Sequence, residues 1–153
     1  MNDDEVVRIE ELALDRILEL RRTVLRNGTA TSDPRYVEDG LPDTVHLGVV
    51  RDGTVIATST WLPRESPDSP GTPAIQLKGM AVDPSVQSRG VGSMLLNAGI
   101  SRAVDLGAHL VWARARDTAL RFYQSHRFVI VGGAFIDEHT GLSHHVVSRR
   151  VHP

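Results

Sequence analysis

Hydrophobic positions along this 153-residue chain switch between alternation and a spacing of three to four, the signature of strands interleaved with helices. Val6 to Ile9 forms a first short strand. Leu12, Ile17, Leu20, Val24 and Leu25 then recur near helical period as far as Asn27-Gly28, a C-terminal stop signal. Residues 29 to 43 are polar. Val45 to Val50 and Val55 to Trp61 flank Asp52-Gly53, a strong hairpin signal, so two antiparallel strands follow. After a Pro- and Ser-rich loop from Pro63 to Pro73, Ala74 to Val82 predicts a strand and Gly90 to Leu106 a helix closed by Gly107. His109 to Ala113 predicts a strand and Thr118 to His126 a short helix. Phe128 to Val131, Ala134 to Asp137 and Ser143 to Val151 predict the terminal strands, with a turn at Glu138 to Gly141. This order predicts a mixed α/β sheet with helices on both faces.

Composition narrows the class. With 41% hydrophobic and 24% charged residues, and no internal repeat or low-complexity tract, residues 1–153 read as one globular domain. The absence of Cys excludes disulfides, thiolate metal sites and a cysteinyl intermediate. The acidic start Met1-Asn2-Asp3-Asp4-Glu5 is unlike a signal peptide, and no run approaches the ~20 apolar residues of a membrane span, so a cytoplasmic protein is expected. A net charge of -2 with a single Lys disfavours nucleic acid as partner. That net charge hides an asymmetry: residues 1–76 sum to -6 and residues 77–153 to +4. An acidic half that draws in a cation and a basic half that grips an anion are the functional expectation, against ordinary solvated surface.

The most informative segment is Met80-Ala81-Val82-Asp83-Pro84-Ser85-Val86-Gln87-Ser88-Arg89-Gly90-Val91-Gly92-Ser93-Met94-Leu95-Leu96, a strand, a loop and a Gly-rich helix start. Unpaired N–H groups at such a helix end bind anions, and Gly90 and Gly92 would let a pyrophosphate approach the backbone. Position 95 is Leu, so the dinucleotide fingerprint fails, and there is no Gly-Lys-Ser/Thr of a Walker loop. The string Gln87-x-x-Gly90-x-Gly92 after Val82-Asp83-Pro84 closely resembles the coenzyme A cradle of the GNAT family of acetyltransferases. Arg116-Asp117-Thr118-Ala119-Leu120-Arg121-Phe122-Tyr123, leading to Phe128, resembles the family's second signature, with Arg127 in place of its Gly. Leu20-Arg21-Arg22 and Gly141-Leu142-Ser143-His144 are similar to a branch of small bacterial GNAT proteins akin to the ElaA-like group. The resemblance covers roughly residues 6 to 150.

That resemblance implies a mostly antiparallel sheet of six to seven strands and direct acetyl transfer from acetyl-CoA to an amine, through a tetrahedral intermediate. Acetyl-CoA is the donor substrate, a small molecule or peptide supplies the acceptor amine, and no metal or membrane is required. Homodimers are common in the family. Cofactor contacts fall on Met80, Ala81, Val82, Gln87, Ser88, Arg89, Gly90, Val91, Gly92 and Ser93. Arg116 stands where many members carry an Asn that bonds the cofactor, and an exposed helix-start Arg is the alternative. Gly79 would permit a bulge that parts the strand 74–82 from the strand 109–113, or merely mark a packing gap. Tyr123 is the expected general acid, since a phenol keeps its proton at neutral pH. His144 is the first candidate base, then His46, then Asp137 or Glu138. The charge split predicts a cationic acceptor steered by Glu38 and Asp39. A non-catalytic acyl-CoA-binding or partner-interaction module is the rival reading, motivated by Arg127.

Overall fold

The computed structural model describes residues 6–27, 29 and 31–151. Its elements are β1 (Val7–Leu12), α1 (Leu14–Leu25), β2 (Val45–Arg51), β3 (Thr54–Pro63), β4 (Ala74–Val82), α2 (Val91–Asp105), β5 (Leu110–Arg116), α3 (Leu120–Ser125), β6 (Val129–Ile136) and β7 (Ser143–Arg150). The strands form one seven-stranded sheet in the order β1-β2-β3-β4-β5-β7-β6. Neighbours are antiparallel except β4 and β5, which are joined through α2, the long crossover that a parallel pair requires. The mostly antiparallel α/β sheet is therefore the one expected. Asp52 and Gly53 take φ of 47° and 83°, the left-handed pair of a two-residue hairpin. Among the described residues no helix is long and apolar enough to cross a membrane.

Two neighbours on β3 show how the faces are used. Thr60 Oγ1 accepts a hydrogen bond from Arg21 of α1 at 2.7 Å. Trp61 lies instead under α2, where a Cβ on Gly99 would come within 1.9 Å of its ring. Successive strand residues point to opposite sides, so α1 and α2 cover opposite faces, and only glycine lets α2 settle on the indole. The α2 face carries the larger core, including Leu47, Ile56, Leu77, Leu95, Leu96 and Val111. Beneath α1 the cluster is Leu12, Ile17 and Val50, because one buried position of that helix is the fully enclosed Arg21.

Three boundaries differ from expectation for physical reasons. Leu12 ends β1 opposite His46 instead of opening the helix, and its side chain still packs beneath α1. β5 continues through Arg114–Arg116 because these residues pair with Val146, His145 and His144 of β7, although their charges mask the strand pattern. The two expected strands at 128–131 and 134–137 are one strand, β6, bent by a bulge between Val131 and Phe135 with Gly132 at φ 76°.

Candidate active site

β4 and β5 pair only over Ala74–Leu77 and Leu110–Ala113. Beyond that point β4 stays with β3 and β5 with β7, so the sheet forks. The irregularity lies in β4. Between the pairs Thr58–Ala81 and Thr60–Lys78, β3 contributes Ser59 alone while β4 contributes Gly79 and Met80, with Gly79 at φ 62°. A Cβ on Gly79 would lie 3.0 Å from the Tyr36 ring and 3.2 Å from Arg21 Nε, so both conformation and space call for glycine. The fork opens a cavity of ≈ 370 Å³ whose wall includes Met80, Arg116, Tyr123 and His144. Four separated sequence candidates thus meet at one cleft.

Past the fork, β4 enters the loop that starts α2. Asp83 accepts the Ser85 N–H at 2.9 Å and Gln87 Nε2 donates to the Val82 carbonyl at 3.0 Å, which fixes the loop to the strand end. Ser88 and Gly90 are left-handed, at φ 66° and 81°. The first N–H to bond back into α2 is that of Met94, to the Gly90 carbonyl at 3.0 Å. The N–H groups of Val91, Gly92 and Ser93 therefore project from the positive end of the helix dipole, with exposed Arg89 beside them. A Cβ on Gly92 would touch Phe122 at 3.4 Å and Val82 at 3.5 Å, so this glycine sits where strand, α2 and α3 converge. Ala81 is buried and Val82 half-buried at the end of β4.

His126 joins the cradle to α3, a contact with no local signal in the sequence. Its Nδ1–H donates to the Phe122 carbonyl at 2.8 Å, which in the neutral ring leaves Nε2 to accept from the Ser93 hydroxyl at 2.9 Å. The neighbouring Arg127 has φ 68°, so the backbone keeps the left-handed turn of the glycine it replaces. The substitution therefore does not disrupt the connection from α3 to Phe128, and the rival non-catalytic reading loses its motive.

Tyr123 is 6% exposed and held edge-on by Phe122 and Phe128, with ring centroids 5.4 and 5.3 Å away. Burial pushes its phenol well above the ordinary value, so this group is a donor and not a base. His144 is 5% exposed, and its Nδ1–H donates to the Leu142 carbonyl at 2.9 Å, leaving Nε2 of the neutral ring as an acceptor. His46 is a different case. It is buried beneath α1 with Nδ1 2.8 Å from Thr60 Oγ1, does not line the cleft, and is held below its ordinary pKa by burial. A base role for it is thereby corrected. Asp137 and Glu138 line the cleft. Burial would raise the Asp137 carboxyl, but N–H bonds from Thr140 at 3.1 Å and His139 at 2.8 Å, together with nearby positive charge that includes Arg114, hold the group below its usual range.

The expected division into acidic and basic walls does not hold. Asp39 is sealed in a two-bond ion pair with Arg21, at 2.8 and 3.1 Å, and is 3% exposed. Glu38 lines the cleft but is matched by Lys78 at 3.4 Å and Arg64 at 3.5 Å. Arg26, Lys78, Arg114 and Arg116 all line the same cavity, so cations from both halves of the chain surround the opening. Arg116 Nη2 donates to the carbonyl of Leu25, one of those that α1 leaves unpaired at its end. The Arg21–Asp39–Thr60–His46 network beneath the bulge went unseen, although Arg21 falls four residues after Ile17 on the buried face of α1.

A sheet forked beside an open helix start, with a buried phenol and an imidazole on the opening, fits the acyltransferase class that the resemblance implies. Residues 14–128 match the model of the acetyltransferase (GNAT) family, and the chain belongs to that family of acyltransferases. It is 25% identical over 142 residues to the uncharacterized N-acetyltransferase YitI of Bacillus subtilis (strain 168), covering 93% of this chain and 94% of that one. The crystal structure of Escherichia coli ElaA matches with a TM-score of 0.74 and 18% identity, over 95% of this chain and 100% of the other. An aminoglycoside 6'-N-acetyltransferase complexed with coenzyme A matches with a TM-score of 0.76 and 14% identity, over 95% and 98%. These two likenesses concern the fold.

Proposed function

We propose that residues 1–153 form one acetyltransferase domain that moves the acetyl group of acetyl-CoA directly to an amine of a small molecule or peptide, in the cytoplasm. The observation that carries this reading is the fork itself: β4 and β5 part at Leu77 and Ala113, immediately before the strand end that leads to α2, with Tyr123 and His144 on the cavity wall. The residues present fit the donor. Left-handed Ser88 and Gly90 turn the loop, and the α2 N–H groups are free of helical partners. When bound, acetyl-CoA supplies an acetyl group activated as a thioester.

Gln87 to Ser93 would hold the pyrophosphate through main-chain donors, with Arg89 adding charge. The main chain of Met80 to Val82, freed from β5, would hold the pantetheine arm and polarise the carbonyl. His144 Nε2 takes the proton that the amine loses as its nitrogen bonds to the acetyl carbon and the carbon–sulfur bond breaks. Tyr123 stabilises the departing sulfur. A thiol has an ordinary pKa near ~8.5, below that of any phenol, so Tyr123 donates a hydrogen bond more readily than the proton itself. Arg116 is bonded to Leu25 through Nη2 alone and lines the cleft.

The test is coenzyme A release across an amine and peptide panel, beside thermal unfolding with and without acetyl-CoA. Acetyl-CoA should raise the melting temperature by mass action, and at least one amine class should release coenzyme A. No thermal shift at millimolar acetyl-CoA would sink the donor assignment. A shift with no turnover on any amine would favour the binding-module alternative.

A further inference from the structure

One end of the cleft holds a charge arrangement that the transfer chemistry does not use. Arg26 is 5% exposed and lines the cavity. Its Nε donates to the Asp33 carbonyl at 2.8 Å and its guanidinium lies 5.3 Å from the Tyr36 ring centroid, yet its Nη2 is buried without a hydrogen-bond partner among the described residues. Arg116, half-buried on the same wall, spends its Nη2 on the Leu25 carbonyl. Neither guanidinium has a carboxylate within ion-pair distance among the described residues. Every other cation of the cavity does: Lys78 has Glu38 at 3.4 Å and Arg114 has Asp137 at 3.6 Å. The two unpaired arginines also feel one another. Burial lowers the Arg116 pKa, and while Tyr36 opposes this, the like charge of Arg26 adds to it.

A buried guanidinium beside a like charge is costly unless an anion completes it, and a guanidinium fork matches a carboxylate. We infer that Arg26 and Arg116 receive the carboxylate of the acceptor, so that the acceptor is an α-amino acid or a similar small molecule carrying both amine and carboxylate. Lys78 and Arg114 are met by Glu38 and Asp137, so the anionic group of the acceptor falls to Arg26 and Arg116. The same wall carries His144, the proposed base, so a compact zwitterion spans both functions within ≈ 370 Å³. This inference rests on the N-acetyltransferase reading and reverses the cationic acceptor that overall charge suggested.

The experiment compares coenzyme A release with free L-amino acids and with their own carboxamides at equal amine concentration. The amide's amine is the less protonated of each pair, so without carboxylate recognition the amides react faster. The expected result is a kcat/KM favouring the acids by about tenfold or more, the range of a charge-assisted hydrogen bond. Arg26→Gln should erase that preference by raising KM for the acids, while KM for the carboxamides and acetyl-CoA holds. O-phosphoethanolamine should be a poorer acceptor than the preferred amino acid. Carboxamides or phosphoethanolamine equalling the acids, or an acid preference that survives Arg26→Gln in folded protein, would overturn the inference while coenzyme A release still upheld the reaction. Should Arg26→Gln fail to fold, or neither acceptor set turn over, calorimetric titration of wild-type protein with N-acetyl amino acids against their carboxamides decides it. Tighter binding of the acids supports the carboxylate site and equal binding refutes it.

Discussion

Replacing Asp39 by Asn should destabilise the protein by about 3–5 kcal/mol, the cost of stranding one partner of a buried ion pair. The geometry places this pair at the severe end. Arg21 is 0% and Asp39 3% exposed, and their two bonds measure 2.8 and 3.1 Å. Asn keeps the shape but removes the charge and turns an amide N–H toward the guanidinium. What remains bonded to Arg21 is neutral, the Pro34 carbonyl at 3.0 Å and the Thr60 hydroxyl at 2.7 Å, and its Nε has no hydrogen-bond partner among the described residues. For a chain of this length each kcal/mol moves the melting temperature by roughly 2–4 °C, so a fall of about 6–20 °C is expected. Thermal and urea unfolding followed by circular dichroism at pH 7 measure it. Arg21→Met combined with Asp39→Leu removes both charges and should recover part of the loss. A single Asp39→Asn variant that melts within about 2 °C of wild type, below the smallest shift worked out from the same scale, would refute the sealed ion pair.

Tyr123→Phe removes the hydroxyl alone and should lower kcat about 10- to 100-fold, the worth of a hydrogen bond to a charged sulfur, with acetyl-CoA affinity unchanged. Unchanged turnover, with chemistry shown to limit the rate, would remove Tyr123 from the reaction. Gly99→Ala places a Cβ 1.9 Å from Trp61 and should cost about 1–3 kcal/mol or more in urea unfolding; an unmoved midpoint would show that α2 does not rest on the indole. Asp137 and Glu38 have folded pKa values below their ordinary 3.8 and 4.5, so they stabilise the fold above those values and lose that contribution as pH falls through the lower folded values. Stability titrated downward from pH 5 should therefore drop less steeply in Asp137→Asn than in wild type, and parallel curves would contradict the assignment.

Legibility in the sequence followed the range of the interactions. The hairpin at Asp52-Gly53 and the helix start at Gly90 depend on backbone needs met within a few residues, and both stood where the spacing put them. Gly79 was readable only in part, since a glycine within a strand marks either a bulge, as here at φ 62°, or a packing gap. The Arg21 network was not, because its bonds join residues 18, 39 and 14 apart along the chain. Charge counting failed for a related reason. A sum over half the chain cannot distinguish Asp39, consumed inside the protein, from Glu38 on the cleft wall, and gives no sign that Arg26 has no carboxylate partner among the described residues.

The same contrast separates the two ends of the active site. Main-chain donors at the start of a helix suit an anion whatever side chains surround them, so the constraint on sequence there is the left-handed turn at Gly90, whereas a Cβ on Gly92 would meet only ordinary contacts. The acceptor end is built from side chains on four separated stretches: the last turn of α1, the 36–38 segment, the end of β5 and the 137–144 turn. Among the described residues none of those stretches supplies a bond within the α2 cradle, which is held instead by Asp83, Gln87 and the Ser93–His126 contact. In the proposed reading, residues at the acceptor end can therefore change which amine is accepted without loosening the hold on the donor. That independence is why the expected donor half of the site could be placed through the family resemblance that Gln87, Gly90 and Gly92 carry, whereas the proposed acceptor half required the fold to bring Arg26 and Arg116 to one wall.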